Sequence, residues 1–208
     1  DLGGKLAFYL KMTNGNVERL YTYSEKNVAT VTDMLNAYRD ILPEDGTVHY
    51  MIIPFSGNAY RWTSSCETYY GWGSNLEQEI QKRVKDGVYV HNIPELFEKP
   101  LDEGEYLYFR LDHHWTPRGA WLTVSDFMRG QGYPTVDYDE YSYTVYKDFY
   151  GSNYDASQPE RMRKMVDTLE LLSPLLPARH YLVTKLTTLK QTKLMDYSRK
   201  KYTAFMEG

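Results

Sequence analysis

The apolar positions change period several times along the chain, and each change marks an element. Lys5 to Lys11 reads as a strand and Val17 to Tyr23 as its return, with Asn14-Gly15 between them favouring a tight hairpin. From Asn27 to Leu42 the apolar residues fall at Val28, Val31, Leu35, Tyr38 and Leu42, a helical period closed by Pro43 to Gly46. Thr47 to Pro54 is a strand whose run Met51-Ile52-Ile53 is continuously apolar, as in a buried parallel strand. Arg61 to Trp72 is irregular and aromatic. Ser74-Asn75-Leu76-Glu77 has the form of a capping box and predicts a helix from about Asn75 to Lys85, stopped by Asp86-Gly87. Val88 to Asn92 reads as a short strand and Pro94 to Glu98 as a helical turn.

The stretch from Tyr106 to Ala120 organises the rest. Read as a strand, it places Tyr106, Tyr108, Arg110, Asp112 and His114 on one face and Leu107, Phe109, Leu111, His113 and Trp115 on the other. Thr116 suits a helix N-cap and Pro117 the first helical position, so a helix is predicted from Pro117 to about Arg129, closed by Gly130 and Gly132. The alternation of strands and helices points to an α/β layer with a mostly parallel sheet behind an N-terminal hairpin. After Gly132 the pattern blurs. Asp137 to Tyr150 is tyrosine-rich and reads as one or two strands. Pro159 to Leu172 has helical spacing at Met162, Met165, Leu169 and Leu172, Arg179 to Leu186 is strand-like, and Gln191 to Phe205 is ambiguous.

Composition narrows the class. A chain of 208 residues with 42% hydrophobic and 25% charged residues has the make-up of a globular protein, read here as a single domain with residues 133–208 as a less regular excursion. The net charge of −4 and the lack of any matching motif argue against a nucleic-acid partner. From Arg161 onward basic residues outnumber acids, either as a solvated face or as a rim for an acidic polymer. The lone Cys66 excludes an internal disulfide. No apolar run is long enough to span a membrane, so membrane association is expected only through segments outside this chain. The chain starts at Asp1 rather than Met, and an N-terminal portion is expected to precede it.

The candidate chemistry sits at the end of the central stretch. Asp112 and His114 share a face just before a helix N-terminus, and an Asp beside a His can hold the imidazole in one tautomer. The plainer alternative is that Asp112 satisfies the first N–H groups of that helix. A metal site is disfavoured because adjacent histidines on a strand point apart, and His49, His91 and His180 are scattered. Arg110 either pairs with Asp112 or meets an anionic substrate. Ser56, Asn58 and Tyr60, after the Thr47–Pro54 strand, are candidate substrate or oxyanion contacts, with a polar Asx-type turn as the alternative. No G-x-S-x-G elbow is present.

The segment Asp112-His113-His114-Trp115-Thr116-Pro117-Arg118-Gly119-Ala120 resembles the motif of the DHHW family of bacterial proteins. It is also similar to the D-x-H-W-T-x-x-G-A segment of the alginate O-acetylation proteins, which have SGNH-hydrolase-like domains. The resemblance extends more loosely from about Gly3 to the end of the chain. It implies an SGNH-hydrolase-like α/β fold and a Ser-His-Asp triad in which Asp112 and His114 are two members; Trp115, beside them, joins Arg110 as a candidate substrate contact. It also implies that the serine follows the Asp-x-His motif in a block reading roughly (Gly/Lys)-Asp-Ser. No serine here fits, so the serine is expected beyond residue 208, and residues 1–208 alone are expected to be inactive. The implied activity is a polysaccharide O-acetyltransferase or acetylesterase, extracytoplasmic, without metal or other cofactor. Its implied partners are the polysaccharide and, if acetyl is delivered by another protein, that donor. A non-catalytic carbohydrate-binding or assembly protein is the alternative.

Overall fold

The computed structural model describes residues 9–11, 17–19, 25–54, 56, 72–91, 93–151, 166–173, 175, 180–184 and 188–192. The chain divides into two compact units, Asp1–Glu105 and Tyr106–Gly208. It is a mixed α/β protein whose described strands form four two-stranded sheets.

In the first unit, β1 (Tyr9–Lys11) and β2 (Val17–Arg19) pair antiparallel, as the hairpin reading requires. Helix α1 runs from Glu25 to Ile41 and β3 from Val48 to Met51. Helix α2 spans Trp72–Gln81, so it begins before the predicted capping box and ends before Lys85. Strand β4 (Val88–His91) pairs parallel with β3, from Val48 opposite Val88 to Met51 opposite His91. The expectation of a mostly parallel sheet holds for this pair alone among the described strands. Nor is β3 fully buried: all four of its residues are half-exposed, and Ile53 beyond it is 40% exposed.

Val28 and Leu35 of α1, Ile80 of α2 and Val88 of β4 form the core of this unit. Spacings of three and four residues carry α1 onto the strands, with Val31 also packed there. Asn36 and Arg39, on the same helix, hold the turn that feeds β4. Asn36 accepts from Lys85 N at 2.8 Å and donates to the Arg83 carbonyl, while Arg39 donates to the Asp86 carbonyl. Gly87, at φ +84°, packs against the Arg39 side chain, where a Cβ would collide.

The predicted turn at Pro94 is a full helix, α3, from Ile93 to Asp102. Its Ile93, Phe97 and Leu101 recur every four residues and are all buried, which extends the element past Glu98.

The second unit contains α4 (Pro117–Gly130), a 3₁₀ turn at Tyr138–Glu140, and two antiparallel pairs. Strand β5 (Tyr143–Phe149) pairs with β6 (Asp167–Leu172), and β7 (His180–Thr184) with β8 (Thr188–Thr192). The helix expected over residues 159–172 is therefore overturned in its described part. Asp167, Leu169 and Leu171 are buried and alternate with half-exposed neighbours, a period of two rather than 3.6. Leu169 and Leu172, read as one helical face, point to opposite sides of the strand.

Phe109, Phe149, Leu169 and Leu171 form the core here. The Tyr138 hydroxyl donates to Glu170 Oε2 at 2.5 Å, and the Arg118 guanidinium lies 4.9 Å from the Tyr138 ring centroid. Leu169 is fully buried, so Leu169→Ala should lower the unfolding free energy by about 2–5 kcal/mol, measured by chemical denaturation. A loss within a few tenths of a kcal/mol would show that this strand is not core.

Candidate active site

Tyr106 to Trp115 is not the predicted strand. Tyr108 makes one isolated antiparallel bridge with Trp115, and the chain between them forms a tight loop. Phe109 N donates to the His114 carbonyl at 3.3 Å and Thr116 N to the Leu107 carbonyl at 2.8 Å, closing it. Alternation fails as well: Leu107, Tyr108, Phe109, Leu111 and Asp112 are all buried, while Arg110 is exposed.

Two carboxylates account for the departure. Asp112 Oδ1 accepts from the backbone N–H of His114 at 3.0 Å, an Asx-type turn that folds the chain over two residues. Asp167 takes the backbone donors just before it, Arg110 N at 2.8 Å and Leu111 N at 2.7 Å. Those N–H groups would otherwise seek a neighbouring strand.

The helix after the loop is as predicted. Thr116 accepts from Gly119 N at 3.3 Å as the N-cap of α4, and its hydroxyl donates to the Tyr106 carbonyl at 2.7 Å. Thr116, not Asp112, therefore caps this helix. A Cβ at Gly119 would lie 2.7 Å from the Leu107 carbonyl oxygen, so the first turn of α4 can approach the loop only with glycine there.

The predicted pair is formed. His114 Nδ1 lies 2.5 Å from Asp112 Oδ1, the carboxylate is buried (3% exposed), and the imidazole is half-exposed. With Asp112 ionised, Nδ1 carries the proton and Nε2 is the basic nitrogen. Such an arrangement can accept a proton at Nε2 and stabilise the imidazolium that results.

His113 corrects the strand-based expectation. Its ring packs against that of His114, tilted by 37° with 3.8 Å between centroids, and its Nδ1 lies 3.7 Å from the same Asp112 oxygen. Without strand alternation nothing sends the two rings apart. The argument against a metal site falls with it, since Asp112, His113 and His114 offer three ligand atoms within 4.8 Å of one another. In the geometry seen, however, Oδ1 and Nδ1 of the pair are engaged with each other across a hydrogen bond.

The remaining predicted residues fall out separately. Arg110 stacks over the Tyr106 ring, 5.2 Å from its centroid, rather than pairing with Asp112. Trp115 is half-buried at the end of the loop. Ser56 is buried (1% exposed), and Asn58 and Tyr60 lie outside the described residues. His49 and His91, scattered in sequence, meet across β3 and β4 with Nδ1 and Nε2 3.0 Å apart.

Sequence reasoning missed Asp167 and Gly151. Asp167 is 1% exposed and accepts from the Tyr106 hydroxyl as well as from Arg110 N and Leu111 N. Burial raises its carboxyl above the ordinary range, while these donors act in the opposite direction. Burial also holds the Tyr106 phenol protonated, well above its usual value, so it remains a donor. A Cβ at Gly151 would collide with the Leu111 carbonyl and with Asp112 itself. The available signal for Asp167 was the alternation in DTLELL, which sets an acid on the apolar face of a strand.

Comparison with known families matches residues 19–184 to the DHHW protein family. Among solved structures, a DHHW family protein from Eubacterium siraeum superposes with a TM-score of 0.72 at 21% identity, covering 94% of this chain and 66% of that one. Two structures of PatB1 from Bacillus cereus, one of them with a sulfonyl adduct, superpose at 14% identity with TM-scores of 0.70 and 0.67. The matches cover 95% of this chain and 70% and 72% of those chains. The chain thus spans just under two thirds of the first of these structures. No curated protein sequence matches. Among the described residues, no helix is long and apolar enough to cross a membrane.

Proposed function

This chain belongs to the DHHW family, and from that premise we propose that the whole protein is an extracytoplasmic O-acetyltransferase or acetylesterase acting on a polysaccharide. The fold we assign is SGNH-hydrolase-like. The observation that carries the reading is the 2.5 Å contact between His114 Nδ1 and a buried Asp112 carboxylate at a half-exposed imidazole. A histidine held only for packing needs no buried anion behind it.

In this reaction His114 Nε2 takes the proton of a serine hydroxyl contributed from outside this chain. The serine oxygen attacks the acetyl carbonyl, the bond to the donor oxygen breaks, and the proton passes from His114 to that leaving oxygen. A sugar hydroxyl then attacks the acetyl-serine, losing its proton to His114; the bond from acetyl to the serine oxygen breaks, and that oxygen takes the proton back from His114, so the serine is restored; with water in place of the sugar, acetate is released. Asp112 holds the tautomer and stabilises the imidazolium in both halves. No step uses a metal or other cofactor. Arg110 is assigned to anionic groups of the polymer and Trp115 to a sugar face, with Ser56, Asn58 and Tyr60 retained as substrate or oxyanion contacts. An acetyl-donor protein is a further partner.

A sulfonyl fluoride tests the scheme directly. The full-length protein should be labelled at one serine, with loss of acetyl release and transfer in step with labelling. Binding of a polysaccharide without labelling or acetyl turnover would instead make the protein a non-catalytic binder.

A further inference from the structure

We propose that Asp167 is the positioning residue of the Asp112–His114 pair, a role that rests on the catalytic reading above. Asp167 opens β6 on the face that carries Leu169 and Leu171, and that face is buried. An apolar residue would serve this position better if packing were its only task, because a buried carboxylate is costly without donors. Its donors all come from one place. The Tyr106 hydroxyl and the backbone N–H groups of Arg110 and Leu111 belong to the segment that leads into Asp112. The Leu111 bond, at 2.7 Å, fixes the residue directly before Asp112.

A second contact comes from the chain just past β5. Phe149 of β5 pairs with Asp167 across an irregular stretch of the ladder, where Asp148 takes φ +64°. A break of this kind re-aims the end of a strand. Two residues beyond Phe149, Gly151 lies against Asp112 and the Leu111 carbonyl with no room for a side chain. The start of β6 and the chain just past β5 therefore both meet the backbone at Leu111 and Asp112, one through a carboxylate and the other through a glycine. Nothing in the loop's own two closing hydrogen bonds supplies that restraint, since these lie at Phe109–His114 and Leu107–Thr116.

The consequence is positional precision. Displacing a reacting group by about 1 Å can cost about a hundredfold in rate. Asp167→Asn keeps the shape of the side chain but turns one acceptor oxygen into a donor facing a donor. In the full-length protein this substitution should lower kcat by about a hundredfold with KM nearly unchanged. The hydrogen-bonded Nδ1 proton of His114 gives a low-field nuclear magnetic resonance signal, assigned by its loss in His114→Ala. In Asp167→Asn that signal should move upfield or broaden away. Tyr106→Phe, which spares both backbone bonds, should shift the signal less and lower kcat only several-fold.

A folded Asp167→Asn with an unmoved signal overturns the proposal, whether kcat falls or not, because a fall would then be a general structural effect. If Asp167→Asn does not fold, Tyr106→Phe decides, and an unmoved signal there is equally fatal. Full activity in His114→Ala would remove the catalytic reading instead. The signal comparison would still show whether Asp167 sets the geometry of the pair.

Discussion

His114→Ala in the full-length protein is expected to lower acetyl turnover about a thousandfold or more while leaving polysaccharide affinity nearly unchanged. The imidazole is half-exposed, so its removal opens no enclosed cavity, and Asp112 keeps the backbone N–H of residue 114 as a donor. Proton transfer matters in the transition state and little in ground-state binding, which separates the two readouts. The measurement is acetyl release and transfer beside polymer binding by calorimetry. His113→Ala provides the contrast. Its ring packs against His114 and approaches Asp112 only to 3.7 Å, beyond a hydrogen bond, so a loss of several-fold at most is expected. Equal turnover in wild type and His114→Ala, with binding lost in the variant, would make the motif a binding feature and end the triad assignment.

Asp112→Asn should be at least as severe, about ten-thousandfold in turnover. Shape is kept, but a single oxygen, Asp112 Oδ1, meets both the His114 backbone N–H, at 3.0 Å, and His114 Nδ1, so an amide NH₂ placed there loses both bonds. What changes is the partner of Nδ1. An amide in either orientation has lost the negative charge that stabilises the imidazolium, and with its NH₂ group at the Oδ1 position it favours the tautomer whose proton sits on Nε2. That form cannot take the serine proton. Because Asp112 is 3% exposed, solvent cannot stand in for the missing charge. The tautomer can be read from the nitrogen shifts of the His114 ring in the same variant. Unchanged shifts together with wild-type turnover would show that Asp112 serves only the turn.

Both predictions lean on one pair of side chains, and that pair and its surroundings were unequally legible in the sequence. The pairing of Asp112 with His114 was reached from the motif, yet the strand logic used beside it was mistaken. Asp112 and His114 meet because Asp112 captures the His114 N–H in a turn, not because residues two apart share a strand face. The same mistake sent His113 to the wrong side and discarded a three-ligand cluster on grounds that do not hold. Over residues 159–172 the spacing of Met162, Met165, Leu169 and Leu172 predicts a helix, yet Asp167, Leu169 and Leu171 alternate as a strand.

Local chemistry determined what it could determine by itself. The periodicity that forms α1, the N-cap and proline that start α4, and the motif that brings Asp112 to His114 all act within a few residues, so the sequence carried them in full. The shape of the loop was decided elsewhere. Asp167 is 56 residues from the Leu111 N–H it holds, and Gly151 lies far along the chain from the Asp112 backbone it abuts. No propensity or short-range pattern registers such a partner. A backbone N–H takes whichever buried acceptor the packed chain brings to it, and only the packing of β5 and β6 brought this one.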